Sequence, residues 1–265
     1  KKKIKVVMDI IQYIEQFRTK KGEPYTHTGM SNPMGCFNIP DDRMKEFIST
    51  CHDNIFKLKK KISITEKHLK THSPALYDID LRYPLKENKD ENIRQYTSDH
   101  IEKMVLKINS LMSEYLEIPE EKIKAYVFER DNPYEFKGSI KDGVHIIYPE
   151  VVTEYPVQFC IRKKLIEWAK EISLFGDITI TNDYDDVFDY SIIEKNPWLM
   201  YGCCKPNCLP YKLTSIINHE GEELDNEYSN LKLMSLLSIR NKTHTYPVKS
   251  DKKVEMNIAN VIMRK

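Results

Sequence analysis

The stretch Pro74-Ala75-Leu76-Tyr77-Asp78-Ile79-Asp80-Leu81-Arg82-Tyr83 constrains this chain more than any other. Apolar and charged residues alternate through it, which is the period of an extended strand with one apolar and one polar face. Tyr77, Ile79 and Leu81 point one way; Asp78, Asp80 and Arg82 point the other. Two carboxylates side by side on one strand face repel and raise each other's pKa, so a fold keeps both ionised when a cation sits between them. Oxygen ligands of this kind suit a divalent ion such as Mg²⁺ or Mn²⁺. An ordinary half-exposed strand satisfies the same pattern, with Asp80 paired to Arg82 or to a lysine elsewhere.

The 265 residues are enough for one large domain or for two small modules sharing a cleft. A formal net charge of +1 gives no global field for nucleic acid, so any basic surface has to be local. The basic runs at 1–5, 57–61 and 162–164 read first as solvated faces. Cys36, Cys51, Cys160, Cys203, Cys204 and Cys208 form no CxxC pair, which suits reduced thiols in an intracellular, non-secreted protein. Cys203, Cys204 and Cys208 raise a zinc question, with His219 as a fourth ligand. Adjacent cysteines followed by a four-residue step are not a usual knuckle, so structural zinc is not expected. No apolar run approaches a membrane span, and no stretch reads as a signal peptide. The chain starts at lysine and ends on Met263-Arg264-Lys265, as a piece of a longer protein would.

Along the chain, Val7, Ile10, Ile11, Ile14 and Phe17 predict an amphipathic helix. Asp41 is expected to cap a second helix with the stripe Met44, Phe47, Ile48, Cys51 and Ile55. The short apolar piece 62–65 is expected to pair with the Asp-containing strand. Residues 86–92 read as a solvent loop, and Ser98 opens a long helix that closes before Pro119. A strand at 124–130, a polar loop at 131–142 and a strand at 143–149 follow, the last with His145 opposite Val144 and Ile146. Pro156 opens another helix. An acidic region at 183–189, strands near 198–202 and 211–217, and a last helix reaching Arg240 complete the pattern. Residues 1–240 are expected to form the catalytic unit, with 241–265 a linker or tail. No GxGxxG or GxxxxGKS occurs, so the class is α+β or mixed α/β, with any phosphates held by side chains and metals.

Phosphoryl transfer at two metals about 3.5 to 4 Å apart needs further carboxylates and cationic donors. Asp189, just after the apolar Val187-Phe188, is the best third acid, ahead of Asp183, Asp185 and Asp186. His145 could contact a phosphate or act as an acid.

The order Asp-x-Asp, Gly-x-His about 65 residues later, then an apolar residue and Asp, resembles the three-motif pattern of the archaeo-eukaryotic primase superfamily. The blocks Leu76 to Tyr83, Lys141 to Pro149 and Trp198-Leu199-Met200-Tyr201-Gly202-Cys203-Cys204-Lys205-Pro206 look like the primase region of poxvirus-type primase-helicases of large DNA viruses. Phe37 to Pro40, Ile64 to His68 and Pro210 to Leu213 fit as well, so the resemblance reaches to about Arg240. It implies an RRM-like module and an accessory α/β module around a cleft. It implies that Asp78, Asp80 and Asp189 bind two divalent metals, Mg²⁺ or Mn²⁺, and that His145 contacts the incoming nucleotide. Arg82 and Lys205 become candidates for triphosphate or template contacts. The implied partners are nucleoside triphosphates, a single-stranded DNA template and a helicase domain in the same full-length chain, at the site of viral DNA replication; no membrane is implied. One departure is Gly143, where many members carry serine; it removes a hydroxyl and leaves the main-chain N–H as the donor. A decayed module that loads a helicase and a metal-dependent nuclease are the rival readings.

Overall fold

A computed structural model describes residues 7–86, 93–240, 242 and 244–253. Residues 87–92 of the expected solvent loop lie outside them. In chain order the elements are α1 (Ile10–Glu15), β1 (His27–Met30), β2 (Met34–Phe37), α2 (Met44–His52), β3 (Ile64–Glu66), β4 (His72–Pro84), α3 (Ser98–Tyr115) and β5 (Ala125–Glu129). Then come β6 (Tyr134–Phe136), β7 (Ser139–Glu154), α4 (Tyr155–Glu171), α5 (Tyr184–Val187), α6 (Ser191–Glu194), β8 (Trp198–Leu199), β9 (Lys212–Ile217) and α7 (Asn230–Leu236). Helices and two antiparallel sheets make the class α+β, as the residue pattern indicates. The chain divides into two compact units: one of residues 1–68, 197–211 and 226–241, the other of 69–196, 212–225 and 242–265.

The first unit holds the sheet β2-β1-β3-β8. Ile10, Tyr13 and Ile14 of α1 and Met44, Phe47, Ile48 and Cys51 of α2 build its core with Phe37 and Ile64. The α2 stripe is the one its spacing predicts, but Asp41 does not cap it. A 3-10 turn, Asp41–Arg43, intervenes, and the Met44 N–H is satisfied by the Asp41 carbonyl, so no side-chain cap is needed. The expected pairing of 62–65 with the Asp-containing strand also fails: β3 pairs with β1 and β8. What fixes β3 there is Glu66, fully buried and bonded by Ser238 Oγ and the Ile239 N–H. Gly202 is dictated twice over, by a φ of +79° and by Phe56, whose ring would lie 2.7 Å from an added Cβ.

The second unit holds the sheet β4-β7-β5-β9, with β6 as an extra strand on β7. β7 runs 16 residues because Ile140, Val144, Ile146, Tyr148 and Val151 all bury on one side. That side, with Tyr77, Ile79 and Leu81 of β4, packs against Ile101, Met104, Val105 and Ile108 of α3 and Val157, Ile161 and Leu165 of α4. Thr97 and His100 form the α3 capping box, and Pro156 sits in the first turn of α4. The loop expected over 131–142 is a hairpin instead: β6 pairs with β7 through the two-residue turn Lys137-Gly138, both residues at positive φ. Its residues are polar or exposed, which hides a strand from hydrophobic periodicity. The expected tail is docked where it is described. Val248 bridges Leu116, and Lys249 and Tyr246 donate main-chain bonds to Tyr115 and Val152.

Candidate active site

Antiparallel register decides which side chains share a face of β4 and β7. Asp78 lies opposite His145, Asp80 opposite Gly143, and Arg82 opposite Lys141. These residues alternate with the buried set on the helix side, so acids, histidine and cations occupy the other face. His145 Nε2 stands 3.4 Å from Asp78 Oδ1, and Lys141 Nζ donates to Asp80 Oδ2 at 2.8 Å. Lys141 is thus the counter-ion of Asp80. For Arg82, bonds to residues 181 and 182 use the main chain, and its buried Nε has no hydrogen-bond partner among the described residues.

The outer edge of β4 is covered by the segment 181–189 rather than by a strand. Asn182 donates to the Asp80 carbonyl at 2.7 Å and accepts the Arg82 N–H at 3.1 Å, a side chain standing in for a strand partner. Phe188 bridges Ile79, and the Asp189 N–H donates to the Asp78 carbonyl at 3.0 Å. Asp189 is thereby seated beside Asp78, and the two line one crevice with Arg162. Ser191 orients the Asp189 carboxylate through its N–H at 2.9 Å and its hydroxyl at 2.7 and 2.8 Å. Asp183 caps α5, and Asp185 pairs with Arg162 and Lys170, which gives these neighbours structural work.

Arg162 is the residue that sequence reading missed. From α4 it donates to the Phe188 carbonyl at 2.6 Å and the Asp185 carbonyl at 2.8 Å, locking the turn that presents Asp189. Burial pushes its guanidinium below the usual arginine value, while Asp185 and Asp189 pull it back up. The signal was its place: Gln158, Arg162, Leu165 and Ala169 follow helical spacing, so this arginine falls on the buried stripe rather than in a solvated basic run.

Gly143 behaves differently from expectation. Its N–H donates to Asp142 Oδ1 at 2.9 Å, because the fully buried Asp142 needs every donor near it. The Gly143 N–H is therefore engaged within β7 itself. Lys205 lies in the first unit, its carbonyl accepting the Cys208 N–H. Cys203 is buried there and its thiol is pushed up to about 12 by burial, while His219 of the second unit stands 3.1 Å from Glu120.

Among the described residues no three His, Cys, Asp or Glu side chains converge closely enough to form a metal centre as they stand. Donor chemistry nonetheless fits a hard divalent ion: Asp78, Asp80 and Asp189 offer only carboxylate oxygens, and the imidazole of His145 faces Asp78. Among the described residues no helix is long and apolar enough to cross a membrane.

Comparison with known proteins bears on the same residues. Residues 26–217 match the family described as the C962R protein N-terminal AEP domain, an archaeo-eukaryotic primase-like domain, and the match spans Asp78, Asp80, Arg82, His145, Asp189 and Lys205. A helicase-named protein of Acanthamoeba polyphaga mimivirus, L207/L206, is 33% identical over 244 residues, which is 90% of this chain and 23% of that protein. The chain thus spans about a quarter of that relative's length. With more than half of its residues inside the matched domain, the chain belongs to this archaeo-eukaryotic primase-like family.

Proposed function

We propose that this domain is a primase or polymerase that joins nucleoside or deoxynucleoside triphosphates on a single-stranded DNA template. The observation that carries the reading is the seat of three acids on one strand system: Asp78 and Asp80 on one face of β4, with Asp189 tied to the Asp78 carbonyl. Asp78, Asp80 and Asp189 would hold two divalent ions, Mg²⁺ or Mn²⁺. When bound, these ions supply charge neutralisation and activation of the attacking 3′-hydroxyl.

The chain's own residues position and compensate. His145, a row across from Asp78, donates to a phosphate oxygen of the incoming triphosphate, and Arg82 adds a planar cation two residues beyond Asp80. Lys205 is assigned a triphosphate or template contact. Arg162 and Ser191 keep the Asp189 carboxylate at one angle, which matters because a misplaced ligand costs positioning. The helicase name of the mimivirus relative and its greater length support a helicase region in the same full-length protein, acting in viral DNA replication.

Primer synthesis on single-stranded DNA with Mn²⁺ and labelled triphosphates tests the reading. Product is expected from the parent chain, and none from Asp78→Ala or Asp189→Ala. Equal synthesis by either variant overturns the site.

A further inference from the structure

The polar face of β4 and β7 continues past the carboxylates. Next to the Asp80–Gly143 row is the row Arg82–Lys141–Tyr134, and beyond it Pro84–Ser139–Phe136. Opposed residues in an antiparallel ladder point to the same face, so an acid, then two cations beside Tyr134, then Phe136 succeed one another on one surface. Four residues separate Asp80 from the last row, about 13 Å of strand, which is about four stacked-nucleotide rises.

The aromatic end has an unusual build. Tyr134 and Phe136 lie edge to face with centroids 6.2 Å apart, and Phe136 is 42% exposed. A ring kept for packing would be covered. Each ring also has its own cation, with Arg130 5.0 Å from the Tyr134 centroid and Lys137 Nζ 5.2 Å from the Phe136 centroid. Lys137 occupies a turn position at φ +50°, where glycine or asparagine fits more easily than a lysine. The nearby acids do not cancel this charge on the surface. Glu135 alternates to the opposite face, and Asp131 is paired with Lys212.

We infer that the β6–β7 hairpin is a stacking platform for single-stranded nucleic acid, with Tyr134 and Phe136 receiving bases and Arg130 and Lys137 flanking the phosphates. Exposed aromatics interleaved with cations bind single strands because every base has a π face and every linkage a charge. The identification of that strand as the template rests on the proposed function; the platform itself rests on the register.

The test is fluorescence anisotropy of a labelled twenty-residue oligothymidylate with the 265-residue chain, without metal or triphosphate. Phe136→Ala and Tyr134→Ala are each expected to weaken binding on the order of tenfold. Phe136→Trp retains affinity, and its added indole emission is quenched by the oligonucleotide. If primer synthesis fails while hairpin-dependent binding persists, the catalytic reading falls and the platform stands. Parent-like affinity of both alanine variants, or an indole emission of Phe136→Trp that stays unmoved at saturation, overturns the platform; the hairpin would then be a surface for a protein partner.

Discussion

Asp142 and Asp80 sit one row apart on paired strands, yet they live in opposite chemical worlds. Asp142 is on the helix side, fully buried, and receives Arg94 Nε at 2.9 Å, Arg94 Nη2 at 3.1 Å and the Gly143 N–H. Arg94 in turn reaches Glu129 and the Arg130 carbonyl, so the whole group is closed. Asp80 faces the other way and, among the described residues, is met by the flexible Lys141, while its neighbour Asp78 has His145 at 3.4 Å. An acid ringed by fixed donors is scaffold, since any ligand would have to displace bonds already made. An acid met by a flexible lysine, as Asp80 is, keeps coordination capacity, and that difference separates site from support on the same sheet.

Substituting each acid attacks the contrast from one side. Asp78→Asn is expected to reduce nucleotide incorporation to background while leaving the urea midpoint close to the parent's. Asp142→Asn is expected to do the reverse first: it leaves part of Arg94's charge facing only Glu129 and costs about 3 kcal/mol by urea denaturation, the scale for breaking a buried pair. If Asp78→Asn proves as destabilising as Asp142→Asn, the two acids are not different in kind.

The Asp80 side of this contrast was legible in the sequence, whereas Asp142 read as part of a polar loop. The alternation at 76–83 fixes which of its residues share a face but not the strand beside it: sequence reading paired it with 62–65, and its partner is the Gly-x-His strand. Asp189 was found as an acid following an apolar pair, and Phe188 does bridge β4. What could not be read was anything dependent on strand register or on a side chain replacing backbone. Asn182 mimics an edge strand, Asp142 takes the Gly143 N–H, and of the two pairings open to Asp80, Arg82 or a lysine elsewhere, the register selects Lys141. The β6–β7 hairpin was hidden because Tyr134-Glu135-Phe136 is three residues long, too short to establish a period. The two-unit division was also out of reach in detail, since each unit is assembled from three separate chain segments.

Lys141→Gln probes the same contrast at the open end. In the parent the lysine occupies the carboxylate that the proposed ion needs. Its removal leaves Asp78 and Asp80 to repel each other, and the metal-free protein is expected to lose about 1 kcal/mol. Added Mg²⁺ should then raise the melting temperature more in the variant than in the parent. A smaller rise in the variant would mean that Lys141 helps to build the ion site rather than competing for it.

The smallest effect tests whether the closed environment of Asp142 has a counterpart in the first unit. There Glu66 is fully buried; burial alone would raise its pKa, but the neighbouring His27, Ser238 Oγ and the Ile239 N–H hold it below the usual glutamate value. His27, 3.7 Å away and also buried, is held below the ordinary histidine value by that burial. The signs separate the two groups. A depressed histidine makes the folded state bind fewer protons than the unfolded state, so its stability contribution is complete above about pH 6.5 and declines as pH falls below that value. The depressed Glu66 contributes fully above about pH 4.5 and is lost only below it. Between pH 7 and 5 the loss therefore belongs to His27. Urea unfolding followed by Trp198, which pairs with Glu66 across β3 and β8, in a Trp168→Phe background reads that unit. The midpoint should drop from pH 7 to 5, and His27→Asn should remove most of the drop. A drop that persists unchanged in His27→Asn would place the titrating group elsewhere and leave the His27–Glu66 pair without the closed character that Asp142 has.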